Sequence, residues 1–229
     1  MQPAFDFARS DLSGWLRQLK AAGGDPLPVP RRTPLGQLIK SMLSARTRDA
    51  VSKAAYDTLV ARYPSPQLLA RASAAAIERV VAPVTFAEDK AANVAAALAR
   101  IGRERPDFDL AFLAERPLVA ALAWLERLPG VARKVSASCL NASTLAMPVM
   151  IVDTHVLRAL QRLRFVGPAA DFLAASKAVT AAMPDWSGDD FLAFHILVKR
   201  LGAGGVPVGR AAMRTLSIGV RVPNRTSTR

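Results

Sequence analysis

The sequence predicts an all-α protein, and three observations carry that expectation. About half of the residues are apolar, at 51%, and within that half Ala and Leu outweigh Val, Ile and the aromatics, which favours helix over strand. No period-two run bounded by turn residues is found. Apolar residues instead recur at helical spacing between Pro and Gly breaks. A chain of 229 residues fits one large domain or two small ones, with length enough for a real core.

The first helix is expected from Asp6 to Ala22, where Phe7, Leu12, Trp15, Leu16 and Leu19 share a face. Gly23-Gly24-Asp25-Pro26 ends it. Thr33-Pro34 reads as an N-cap with proline in the first turn, opening a helix through Leu38, Ile39, Met42 and Leu43. Arg46-Thr47-Arg48-Asp49 interrupts the pattern before a helix from about Ala50 to Arg62. Short helices follow over Gln67–Ala72 and Ala74–Val81, and Pro83 closes that section. Phe86–Ile101 is helical, with Ala91, Val94, Leu98 and Ile101 on one face. Leu110–Ala114 and Pro117–Arg127 come next, and then Leu128-Pro129-Gly130-Val131-Ala132-Arg133-Lys134 makes a tight turn into a helix through Val135, Cys139 and Ala142. Met147-Pro148 breaks the chain, and Val149–Val152 leads to Asp153 and a helix over His155–Arg164. Asp171–Met183 and Asp189–Leu201 complete the helical reading. The stretch 202–229 carries several glycines, five arginines and no acidic residue. It reads as a loosely ordered basic tail, either touching nucleic acid nonspecifically or simply solvated.

A formal charge of +13 and a pI near 11.1 point to a polyanionic partner, either nucleic acid or an anionic membrane surface. No run of about eighteen uncharged apolar residues is present to span a bilayer. Met1 to Trp15 carries Asp6 and Asp11 and lacks a basic start followed by an apolar block, so no signal peptide is expected. Nucleic acid is therefore the preferred partner, in a cytoplasmic, nucleoid-associated setting. Cys139 is the single cysteine, accompanied by His155 and His195. That excludes an internal disulfide, a thiolate zinc site and a four-cysteine iron–sulfur cluster. No metal or other cofactor is expected, and Cys139 is read as a core residue.

At the Pro129-Gly130 junction, backbone N–H groups lacking intrahelical partners point outward together at the positive end of a helix dipole. The turn is thus either a plain helix–helix connection or a phosphate seat. Lys134 falls in the first turn of the following helix, where a cation opposes the dipole at a cost of about 0.3–1 kcal/mol. Taken alone it is a solvated lysine or a phosphate contact. Asp153, where an apolar run meets a helix, is by itself an N-cap.

Together these residues resemble a known family. Leu128-Pro-Gly-Val-Ala-Arg-Lys134, followed by Val152-Asp-Thr-His-Val156, is similar to the helix-hairpin-helix DNA glycosylases, specifically the endonuclease III branch. The likeness includes Leu38-Ile-Lys-Ser-Met-Leu-Ser-Ala45 and Lys90-Ala-Ala-Asn-Val94 and covers roughly residues 33 to 200. It implies two helical domains with a DNA cleft between them. A six-helix barrel domain would span 30–146 and contain the hairpin motif at about 117–145; residues 1–29 and 147–229 would form the second domain. Lys134 and Asp153 would face each other at the mouth of the cleft.

The implied activity is a base-excision-repair glycosylase with apurinic/apyrimidinic lyase activity, acting as a monomer on double-stranded DNA that carries a damaged base, an oxidised pyrimidine by preference, or an abasic site. A lysine amine would displace the base of a flipped nucleotide, form a Schiff base and drive β-elimination. Attack needs the neutral amine, which an ordinary lysine near pKa 10.4 holds only about once in a few thousand molecules at pH 7. A helix N-terminus and desolvation favour the neutral amine, whereas a carboxylate favours the ammonium. Asp153 is accordingly expected to accept a proton and stabilise the cationic sugar. By the same resemblance Arg46 would plug the gap left by the flipped base, where relatives carry Gln, and Phe86 would wedge into the opposite strand. On residue type alone these remain a phosphate-binding Arg and a core Phe. Leu128, Gly130, Ala132 and Arg133 would line the phosphate seat, with Arg133 on backbone phosphate. Three departures stand out: Ala132 replaces a hairpin glycine, Ser136 replaces an alanine, and the cluster cysteines are missing, with Gly202–Arg210 offering Gly, Pro and Arg instead. A monofunctional glycosylase and a DNA-binding protein that has lost catalysis are the rival readings.

Overall fold

A computed structural model describes residues 5–202, with side chains described from Leu12 to Arg200. The tail beyond Gly202 and the apolar contact expected of Phe7 lie outside the described residues. The described residues form eleven α-helices: α1 Phe5–Gly23, α2 Pro34–Ser44, α3 Asp49–Arg62, α4 Pro66–Ala70, α5 Ala74–Val81, α6 Ala87–Glu104, α7 Leu118–Glu126, α8 Arg133–Asn141, α9 Thr154–Arg162, α10 Phe172–Ala182 and α11 Gly188–Gly202. A 3-10 turn, Ala111–Glu115, stands where a short helix is predicted. An isolated parallel bridge joins Arg32 to Ser143. The all-α expectation holds, and among the described residues no helix is long and apolar enough to cross a membrane.

Helix starts follow local chemistry. Thr33 accepts from the Gly36 N–H at 3.2 Å, with Pro34 opening α2. Ser65, Ser73 and Asp171 cap α4, α5 and α10 in the same way, each satisfying an amide that the helix leaves without a partner. Two places show backbone that the sequence does not announce. Phe86 is not the first helical residue of α6 but its N-cap, in the left-handed region at φ 57°. The break after α2 is a turn in which Arg46 is also left-handed, at φ 53°.

The chain packs as two compact units. One comprises residues 29–151 and 185–192. Within it α2 lies against α8, α3 and α6, while α5 packs on α6 and α7 on α8. Its interior holds Leu38, Leu43, Leu59, Ile77, Leu98, Ile101, Leu113 and Leu125, all fully buried or nearly so. The other comprises residues 1–28, 152–184 and 193 onward, where α1 and α9 pack on α10 and Trp15 meets the edge of Phe165 at 5.3 Å. Helix α11 begins in the first unit and continues in the second.

The end of α8 is anchored by polar bonds to backbone. The buried Asn141 amide donates to Met147 O at 2.9 Å and to Gly188 O at 2.7 Å. Arg31 donates to the carbonyls of Asn141 and Ser143 and pairs with Asp189. This brings the first turn of α11 so close that a Cβ on Gly188 would lie 1.9 Å from Ala146 O. Backbone cannot yield there as a flexible side chain would. Gly188→Ala is therefore expected to lower stability by about 1–3 kcal/mol or more, roughly 2–12 °C in thermal midpoint. Thermal unfolding followed by circular dichroism checks it.

Candidate active site and nucleic-acid interface

The hairpin between α7 and α8 is built by one glycine and one carboxylate. Leu128 N–H donates to Leu125 O at 3.0 Å, and Val131 N–H to Leu128 O at 3.2 Å, which turns the chain sharply. Gly130 takes φ +73°, and a Cβ there would lie 2.8 Å from Asn93 Cβ on α6. Glycine is thus required both by conformation and by contact, and the contact ties the hairpin to the Lys90–Val94 segment. Leu128 and Val131 point into the core, so what Leu128 offers to the outside is backbone. Ala132 is the N-cap of α8 at φ −96°, ψ 176°, extended backbone that any residue adopts, and no side-chain bond covers this helix start. Alanine in place of a hairpin glycine therefore carries no backbone strain here.

Glu126 locks the two arms together. Its carboxylate receives the Arg133 fork, Nε to Oε1 at 2.6 Å and Nη2 to Oε2 at 3.2 Å, and the Ser136 hydroxyl donates to Oε1 at 2.7 Å. Bidentate Arg–carboxylate pairs are among the stronger polar contacts, and here the Arg133 side chain is only 12% exposed. The Arg133 fork is therefore used within the hairpin. Ser136, fully buried, contributes a bond that alanine could not make. Glu126 has no sequence motif of its own, although its place at the last residue of α7, opposite the first of α8, is a usable signal. Lys134 follows on the first turn of α8 and is half-buried.

Asp153 is the N-cap of α9, as its position predicts. It accepts from the amides of His155 and Val156, each at 2.9 Å. Both bonds end on Oδ1, so Oδ2 of this half-buried residue takes none of the cap's hydrogen bonds. Oδ1 is thus the oxygen that the cap engages. Lys134 belongs to the unit of residues 29–151 and Asp153 to the other.

Arg46 and Phe86 come together. The Arg46 guanidinium lies 5.8 Å from the centroid of the Phe86 ring, within cation–π range. Phe86 is 54% exposed, which rules out the core reading for its ring. Beneath them is Lys90, a residue the sequence reading quoted only as part of a motif. It is 7% exposed, and its ammonium donates to Leu43 O at 2.8 Å, Ala45 O at 2.6 Å and Thr47 Oγ1 at 2.8 Å. Burial pushes its pKa down to about 8. Cys139 is fully buried and donates to Pro34 O at 3.3 Å, and burial pushes its thiol up. A lone core thiol of this kind is no cluster ligand, so a four-thiolate iron–sulfur group does not fit these residues.

Residues 39–182 match the HhH-GPD superfamily base excision DNA repair protein family. The chain is 30% identical over 166 residues to endonuclease III of Synechocystis sp., a match spanning 72% of this chain and 71% of that protein. Among solved structures it is similar to a trapped endonuclease III–DNA covalent intermediate, with a TM-score of 0.69 and 21% identity over 84% of this chain and 85% of that one. It is also similar to the Clostridium acetobutylicum 8-oxoguanine glycosylase/lyase in complex with double-stranded DNA, with a TM-score of 0.69 and 16% identity over 86% and 69% of the two chains. At these identities the structural likenesses are of fold.

The cap geometry of Asp153 generates a test. Asparagine also caps helices well, whereas alanine does not. Asp153→Ala is expected to lose about 1 kcal/mol of stability, and Asp153→Asn only a few tenths. Urea unfolding of the two variants beside the parent measures this directly; equal losses would remove Asp153 from the role of cap.

Proposed function

Because this chain belongs to the HhH-GPD superfamily of base excision DNA repair proteins, we propose that it is a DNA glycosylase with apurinic/apyrimidinic lyase activity, acting as a monomer in the cytoplasm on double-stranded DNA that carries an oxidised pyrimidine or an abasic site. The observation that carries the proposal is Lys134 on the first turn of α8, next to a left-handed Gly130 and on a hairpin stapled by Glu126, Arg133 and Ser136. Simple phosphate binding by backbone amides requires no amine at that position. The presence of lysine favours the lyase over a monofunctional glycosylase, which needs water rather than an amine as nucleophile.

On this reading a damaged nucleotide is extruded from the duplex at a cost of a few kcal/mol. Arg46 fills the gap and Phe86 parts the opposite stack, a use for which an exposed apolar side chain on a firm turn is suited. The neutral amine of Lys134 attacks C1′, and the N-glycosidic bond breaks with its electron pair leaving on the base, which gains a proton. Opening of the sugar ring leaves a protonated imine between Nζ and C1′. Loss of a C2′ proton then expels the 3′ phosphate with the C3′–O electron pair, and water hydrolyses the imine to release the enzyme. Asp153 is the proton acceptor of the reaction and steadies positive charge on the sugar. Backbone amides at the start of α8 hold a phosphate. No step calls for a metal or a redox group.

Borohydride reduction with abasic duplex DNA tests this. A covalent adduct is expected with the parent protein and none with Lys134→Ala. Base release without an adduct would replace the proposal by a monofunctional glycosylase, and DNA binding with neither would leave a binding protein. Asp153→Asn, which keeps the cap, is expected to slow turnover by roughly 10²–10⁴ while binding persists.

A further inference from the structure

Of the five non-glycine residues that hold left-handed backbone among the described residues, Arg46 and Phe86 lie 40 positions apart and still bring their side chains together. Each such conformation costs about 1–2 kcal/mol, and neither is drawn from a packed core, since Arg46 and Phe86 are both exposed. Something beneath them must hold both turns. Lys90 occupies that place. Its three N–H donors are used on three oxygens: Leu43 O, Ala45 O and Thr47 Oγ1. This matches the full donor count of an ammonium. The first two are carbonyls at the end of α2, where a cation also meets the negative end of the helix dipole. The Thr47 hydroxyl is equally saturated: it accepts from Lys90 Nζ and from Thr85 N–H at 3.1 Å, and donates to Ala45 O at 3.3 Å. Thr85 immediately precedes Phe86, and Lys90 N–H closes the first turn of α6 onto Phe86 O at 3.1 Å. Lys90 and Thr47 therefore fasten the 45–47 turn to the 85–86 turn from both sides.

We propose that Lys90, acting through Thr47, is a positioning residue that makes Arg46 and Phe86 a single rigid two-pronged element for entering the base stack. The inference rests on the reading of Arg46 and Phe86 as plug and wedge. It adds that neither prong works unless the two turns are fastened together, and that the fastening is a buried ammonium rather than the apolar packing usual beneath a protruding loop. Pre-formed prongs spare the ordering cost of shaping two loops at the moment of insertion.

The role separates from a merely structural one by substrate. Abasic DNA in a single strand has no opposite stack to part, whereas the same site in a duplex does. Lys90→Met keeps the alkyl stem and removes the donors; Thr47→Val removes the hydroxyl with less risk to folding and serves if Lys90→Met does not fold. For both, borohydride trapping is expected to fall roughly 10- to 100-fold on duplex DNA and less than about twofold on single-stranded DNA. A second readout, independent of chemistry, is 2-aminopurine placed opposite the abasic site. Its fluorescence should rise when the parent protein binds and stay low with Phe86→Ala, Lys90→Met and Thr47→Val. Equal losses of trapping on both DNAs, or a full fluorescence rise with Lys90→Met and Thr47→Val while Phe86→Ala abolishes it, would overturn the role of Lys90 and leave the wedge standing. A full rise with Phe86→Ala would remove the wedge, and the proposal with it. Absence of any adduct with the parent protein would count against the lyase alone, since the fluorescence still reports insertion.

Discussion

The α7–α8 hairpin depends on the carboxylate of Glu126. Standing at the end of α7, it takes the Arg133 fork and the Ser136 hydroxyl of α8 at once. Around it the turn can be as short as it is only because Gly130 accepts left-handed backbone within contact of Asn93. These two constraints determine where the first turn of α8 begins, and hence where Lys134 stands. The other end of the same helix is secured as well: Asn141 donates to the carbonyls of Met147 and Gly188, and Arg31 to those of Asn141 and Ser143. A nine-residue helix is too short to be firm on its own. Polar contacts at both ends fix it, and with it the position of Lys134.

Much of the fold was legible because helix ends are written in local chemistry. Thr33-Pro34, Asp153 and Asp171 announce caps through side chains that bond to amides two or three residues ahead, and no distant residue alters that. Cys139 was legible as core from its apolar stripe. The hairpin motif and the Val152–Val156 segment were legible through family resemblance, and the superfamily match bears the family out. What could not be read is what depends on residues far apart in sequence. Nothing in Arg46 or Phe86 signals positive φ, a conformation uncommon for residues with a side chain. The burial of Lys90 against carbonyls of α2 spans more than forty positions, and a lysine in an amphipathic pattern reads as solvated. Arg133 invites a phosphate reading because the bond to Glu126 crosses a turn.

The α7–α8 hairpin and the paired 45–47 and 85–86 turns use opposite means of rigidity. The hairpin relies on a neutralised ion pair at its surface, together with a glycine. The 45–47 and 85–86 turns rely on a buried cation bonded to two carbonyls and a hydroxyl. Oxygen dipoles can hold a desolvated ammonium when every N–H is matched, and the lowering of the Lys90 pKa by burial expresses the residual cost.

The inward use of Arg133 has a consequence for how ionic strength acts on the protein. A phosphate held by a lysine or arginine side chain displaces condensed counterions, and its hold weakens steeply with added salt. At this hairpin the nearby guanidinium is already neutralised by Glu126. What remains for a phosphate on the proposed reading is a set of fixed amide dipoles, which release few ions. On that reading the hairpin contributes register that survives changes of salt, while the chain's net charge of +13 supplies the salt-sensitive attraction that brings DNA in. Capture and alignment are thereby assigned to different physical forces.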